Sequence, residues 1–317
     1  MSGVTAAESR PAPLAELRRR LRAVPGVVTA SVEPPASRGR TEEARIIPGT
    51  LIEPAPATAR PVGPPERCPF PVAFLDGIQR HAVVGYVDAM PLVVGEVAAA
   101  VRERSDREAC TVSSQSQTVV IGRPEALARV DRAIRDCRTV ALPSEEPVHP
   151  LRDLELARAA IDRVRGEVER SVGDRYRRGA KHWLIVDGSL AEFPDWATDP
   201  RMIGVSKSHA TLPFEGADLI TYLHLPSMHR SSVFQPASRQ WAPVYAWGLR
   251  LWDWTGKDLF YGLVRVEAAP VAETLGMADR MSRWLLAERA PISADPRWDR
   301  LLYGIHGVEE FLRARFR

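Results

Sequence analysis

The sequence predicts an α/β or α+β domain built on a mixed sheet flanked by helices. Three observations predict it. Short apolar runs bounded by glycine or proline recur from residue 71 onward, as buried strands do. Between them, RPEALARVDRAIRD (123–136) and DLELARAAIDRVRGEVERSV (153–172) carry helical spacing. The chain of 317 residues is 45% hydrophobic and 26% charged, which fits a soluble globular protein of one large domain or two small ones.

The elements follow in order. Twelve of the 27 prolines fall within residues 1–69. There PLAELRRRLRAV (13–24) has the pattern of a short amphipathic helix. SVEPPASRGRTEE and EPAPATARPVGPPER read as extended or mobile. Residues 1–66 are therefore assigned to a Pro-rich extension with one short helix, and 67–317 to the folded body. In the body, PVAFLDG is an apolar run ended by Gly77. AVVGYVDAM and PLVVGEVAAAV follow, with Pro91 between them, and TVSSQSQTVVIG closes at Gly122. The helix after it has Pro124 in its first turn. A longer helix runs from Leu151 to about Tyr176, with Leu154, Ala157, Ile161, Val164 and Val168 on one stripe. WLIVDGSL (183–190) is a short buried strand by length and composition. MIGVSKSHA, DLITYLHL, VYAWGLRLWDW and DLFYGLVRVE read as further strands. VAETLGMADRMSRWLLAE and RLLYGIHGVEEFLRARF read as closing helices.

Several function classes fall away. The net charge is +3 with no dense basic block, so a nucleic-acid partner is permitted but not demanded. Cys68, Cys110 and Cys137 have neither zinc-ligand nor redox spacing. The start MSGVTAAESR lacks the apolar core of a signal peptide. The greasiest tract, 82–101, holds Asp88, Pro91 and Glu96 and does not read as membrane-spanning. A cytoplasmic location is the expectation. No GxSxG, Walker loop or GxGxxG occurs.

Chemistry is suggested by two apolar runs that each end in Asp-Gly, at Asp76 and Asp187, 111 residues apart. A strand fixes such a carboxylate, and the glycine leaves room for a ligand. Either alone is also an ordinary turn. On adjacent strands the two charges would repel by about 4 kcal/mol at about 4 Å and an effective dielectric of about 20. A shared proton or a divalent cation relieves that, and Mg²⁺ and Mn²⁺ take oxygen ligands. Glu155, beside the stripe of the long helix, is a candidate third carboxylate; the competing reading is a solvated first-turn glutamate. His306, among apolar residues of the last helix, is either a core histidine or a ligand and proton carrier. Lys207, after an apolar strand, either meets a phosphate or is a surface lysine.

The ordered set of strand-Asp-Gly, helix-Glu, LIVDGSL, GVSK, VRVE and a final Tyr-x-x-His helix resembles the NurA nucleases over roughly residues 70–317. The resemblance implies an RNase H-like mixed sheet flanked by helices and a Mn²⁺- or Mg²⁺-dependent deoxyribonuclease using two ions. It implies exonuclease action, with endonuclease action as an addition, on single- or double-stranded DNA ends during end processing and repair. It also implies a homodimer partnered by a hexameric HerA-like ATPase. Carried over, Asp76, Glu155, Asp187 and His306 are the implied metal ligands, and Lys207 joins them as an implied catalytic residue. The first motif departs from the family pattern, with Ile78 where a serine is usual. That departure motivates a second reading, a catalytically inactive RNase H-like module that binds nucleic acid or an ATPase. A third is a metal-dependent phosphoesterase for small nucleotides. Trp247, Trp252 and Trp254 are read as packing residues, with base stacking as the alternative.

Overall fold

The computed structural model describes residues 14–29, 44–105, 108–144, 147–180, 182–237, 241–291 and 300–315. It shows the expected mixed α/β chain, with a large mixed sheet flanked by helices. The described residues divide into two compact units: those within 1–39, 77–99 and 114–172 form the first, and those within 40–76, 100–113 and 173–317 the second.

In the first unit, β5 (Val72–Val87), β6 (Met90–Ser105) and β7 (Glu108–Gly122) are long neighbouring strands, each with residues in both units. Their valine-rich runs favour extended backbone and a buried face. β8 (Arg138–Ala141) pairs parallel to β7, and β1 (Val27–Thr29) pairs antiparallel to β5. The predicted amphipathic helix of the front exists as α1 (Leu14–Arg22). It buries Leu17 and Leu21 completely against Val84, Val87, Leu92 and Val130, worth about 1.5–3 kcal/mol per leucine. α2 (Pro124–Ile134) starts with proline at its first turn, as read. α3 (Pro150–Gly179) buries the whole predicted stripe, with Ile161 seated on Gly95, where a β-carbon would lie 2.8 Å from its side chain. Buried Arg123 joins α2 to α3 through two 2.9 Å hydrogen bonds donated to Asp153.

In the second unit the strand order runs from the start of β5 to β9 (Trp183–Asp187), β10 (Met202–Ser206), β15 (Leu263–Ala268), β14 (Tyr245–Arg250), β13 (Phe234–Gln235) and β3 (Thr50–Leu51). β5, β9 and β10 are mutually parallel; the pairs from β10 to β3 are antiparallel. Helices cover both faces. Phe74 and Leu75 are consecutive in β5 and so point to opposite faces. Gly304 of α7 (Tyr303–Arg315) lies on Phe74, and Gly173, near the end of α3, lies on Leu75.

Three elements differ from the sequence reading. β5 is one strand through Asp76 and Gly77, not two runs parted by a turn. DLITYLHL forms helix α5 (Gly216–Leu223) rather than a strand. Its Leu219, Tyr222 and Leu223 are spaced to meet one core of Phe214, Phe234 and Leu263, which overrides the strand preference of Ile220 and Thr221. Residues 45–61, placed in the extension, carry β2 (Arg45–Ile46), β3 and β4 (Ala59–Pro61), which pair with β11 (Thr211–Leu212), β13 and β12 (His229–Ser231). Among the described residues no helix is long and apolar enough to cross a membrane.

Candidate active site

The second unit brings Asp76 and Asp187 side by side. Val72 to Leu75 pair residue for residue with Trp183 to Val186 in parallel, and the aspartates are the next residue on each strand. Leu75, Leu184, Ile185 and Val186 are all at most 2% exposed, so the strands under the carboxylates are anchored in core. Asp76 itself is 8% exposed. Asp187 also pairs in register with Val205 of β10. Lys207 follows β10 directly, and its Nζ donates to Asp187 Oδ2 at 2.8 Å. Both side chains of that pair keep roughly a quarter of their surface exposed. A cation therefore already stands on one of the two adjacent carboxylates.

The turn after Asp187 is built with care. Gly188 takes φ +133°, a conformation rare for any residue with a β-carbon. Its N–H donates to Val205 at 3.0 Å. The turn passes so close over Gly204 that a β-carbon there would sit 2.9 Å from the Gly188 carbonyl oxygen. Ser189 Oγ donates to Glu267 Oε2 at 2.7 Å, and Leu190 N–H donates to the same oxygen at 2.9 Å. Arg265 Nε donates to the other oxygen at 3.0 Å. Glu267, 1% exposed, is thus the anchor of the Asp-Gly-Ser turn. The sequence reading took VRVE as a strand and as one member of the ordered motif set, and gave Glu267 no role. The available signal was an acid at a buried position of an otherwise apolar run.

The remaining candidates are placed differently. His306 lies on α7, which packs against β9. Its Nε2 is 3.3 Å from Glu310 Oε1 and its Nδ1 3.7 Å from Glu309 Oε2, both on its own helix. Glu155 is exposed on the part of α3 that belongs to the first unit, whereas Asp76, Asp187, Lys207 and His306 belong to the second. Helical spacing turns Asp153, Leu154 and Ala157 inward and leaves Glu155 facing solvent. Among the described residues no three His, Cys, Asp or Glu side chains gather as a metal-holding group. Of the four implied ligands, the strand register sets Asp76 and Asp187 side by side.

A second α3 glutamate went unnoticed in the sequence. Glu169, paired with Arg165, stands over Gly77, where a β-carbon would lie 2.2 Å from its Oε1. Beyond Lys207, His209 is buried, stacked on Phe260 and hydrogen-bonded through Nε2 to Leu263 O at 2.9 Å. Burial lowers its pKa to about 4, so it is neutral at ordinary pH. Of the tryptophans, Trp247 is fully buried and donates to Ser282, as a packing residue.

No protein-family model matches the sequence, and no curated protein matches it. Among solved structures the chain is similar to the NurA nuclease from Sulfolobus solfataricus, with a TM-score of 0.46 and 11% identity over 79% of this chain and 85% of that one. A likeness of that size assigns neither family nor activity.

Proposed function

We propose that this chain is a Mn²⁺- or Mg²⁺-dependent DNA nuclease in which Asp76 and Asp187 hold the cation. The observation that carries the reading is the pair itself: two carboxylates on adjacent parallel strands, one already bearing an ammonium at 2.8 Å. Two carboxylates fit the chemistry, because Mg²⁺ is usually held by one or two of them, with water and substrate phosphate completing its shell. When bound, such an ion polarises a phosphodiester and lowers the pKa of a coordinated water. The chain's own residues do the rest. The buried strands hold both carboxylates at fixed separation, and Glu267 fixes the turn beyond Asp187. Lys207, which donates to Asp187 at 2.8 Å, would be placed beside a phosphate oxygen of a strand held there. His306 is the proposed proton carrier. Action at DNA ends, a homodimer and a HerA-like ATPase partner belong to the same proposal and rest on the sequence resemblance.

A second reading is a catalytically inactive module that binds nucleic acid or an ATPase. It is favoured by the Lys207–Asp187 ion pair, which already neutralises one of the two carboxylates. End-labelled single- and double-stranded DNA, incubated with purified protein in Mn²⁺, Mg²⁺ or EDTA, separates the two. Cleavage that needs the cation supports the nuclease. Binding by a well-folded protein with no cleavage, with or without an added ATPase, supports the inactive module.

A further inference from the structure

The second unit also carries a cleft of about 540 Å³ at the amino-terminal end of β5, within the usual size of a small-ligand site. Its walls include Arg67, Phe70, Arg104, Glu288, Arg289 and Tyr303. Arg104 and Glu288 satisfy each other: Nη1 donates to Oε2 at 2.8 Å, and Nη2 makes a second bond to Oε1. Two further arginines, Arg67 and Arg289, line the cleft. Arg289 lies 4.0 Å over the Trp252 ring and donates to the Leu251 carbonyl at 2.7 Å; among the described residues it has no carboxylate partner. Burial depresses its pKa, as for a guanidinium removed from water without a counter-ion. Arg67 is exposed and forms no ion pair among the described residues. Two aromatic faces stand at the rim, Phe70 at 54% and Tyr303 at 65% exposure. Phe70 is braced edge-on by Trp284 at 6.4 Å, and Arg289 is bridged to Leu302, beside Tyr303.

Guanidiniums without carboxylates beside exposed aromatic faces are the donor set for a phosphate attached to a flat base. We propose that this cleft binds nucleoside phosphates, with Arg67 and Arg289 on the phosphate and Phe70 and Tyr303 stacked on the base. The occupant is either a free nucleotide or one unit of a DNA strand; the second source rests on the nuclease reading. Val72 lines the cleft and Asp76 lies four residues along the same strand, about 13 Å away by strand rise. That is about four base steps of a stacked strand, so a short oligonucleotide reaches both places and a dinucleotide does not.

The test uses the full chain carrying Asp187→Ala in EDTA, so that binding is read without cleavage. Fluorescence anisotropy follows a labelled decanucleotide, with unlabelled decanucleotide, dinucleotide and dAMP as competitors. Arg67→Glu and Tyr303→Ala change exposed side chains, and circular dichroism confirms their fold. Each is expected to weaken decanucleotide binding about tenfold, while Arg178→Glu, exposed on α3 outside the cleft, changes it less than about twofold. Competition by dAMP at matching concentration assigns the free nucleotide, and competition by the decanucleotide alone assigns the strand; both support the cleft. Unchanged binding in Arg67→Glu and Tyr303→Ala overturns the inference, and so does a parent that binds neither ligand. Cleavage by the unsubstituted protein is scored separately, so the nuclease reading stands or falls on its own.

Discussion

Asp76-Gly77 and Asp187-Gly188 share two residues and an apolar strand before them, yet the glycines answer different constraints. Gly188 is needed for its backbone: φ is +133° and nothing lies within 4 Å of where a β-carbon would be. Gly77 is needed for space: it continues β5 with Glu169 pressed against it. The carboxylates differ in step. Asp76 is held in mid-strand and buried, whereas Asp187 ends its strand, carries Lys207, and leads into a turn pinned by Glu267. One dipeptide therefore serves two local structures, and what unites them is the strand register that sets the two acids together.

The comparison can be broken most forcefully at the carboxylates. Asp76→Asn and Asp187→Asn are each expected to lower cation-dependent cleavage by more than about a hundredfold, beyond the loss of an outer partner of a metal ligand; cleavage rates at saturating Mn²⁺ check this. Glu267→Ala acts on the Asp187 side alone. It leaves Ser189, Leu190 and Arg265 without their acceptor and is expected to cost about 3 kcal/mol in urea unfolding.

Acid sensitivity also belongs to that side, through His209. Its folded pKa is about 4 against an ordinary 6.5, so the unfolded chain takes the proton first as pH falls. Stability is full above about pH 6.5 and declines toward pH 4, by on the order of 2–3 kcal/mol. The unfolding midpoint of the parent should fall relative to that of His209→Phe across that window as pH falls.

The glycines give the smallest and sharpest contrast. Gly188→Ala is expected to cost about 1–2 kcal/mol through backbone strain, whatever its neighbours. Gly77→Ala is expected to cost about 1 kcal/mol by displacing Glu169, and most of that should vanish in a Glu169→Ala background. A double-mutant cycle measures the difference.

Part of this was legible in the sequence. The α3 stripe and the WLIVD strand each declare themselves within one element, by period and composition. Lys207 was read as meeting a phosphate or lying on the surface, and its contact with Asp187 comes instead from the register of β9 with β10. β5 was split at Asp76-Gly77 because local pattern favours a turn there, and Glu169, on a distant helix, is what makes a strand glycine necessary. α5 was missed because Ile220, Thr221 and Tyr222 are strand formers, outweighed by a core assembled from other strands. Glu267 and Ser189 are 78 residues apart, and their pairing is a fact of register between β9, β10 and β15. Glu155 was chosen for being beside an apolar stripe, and that position on a helix faces water.

The most direct test is Mn²⁺ titration by calorimetry of the parent, Asp76→Asn and Asp187→Asn, run beside cleavage of end-labelled DNA. The predicted result is cation binding and cleavage in the parent, with both lost together in each variant. Full cation binding and cleavage in either variant would contradict a site shared by Asp76 and Asp187.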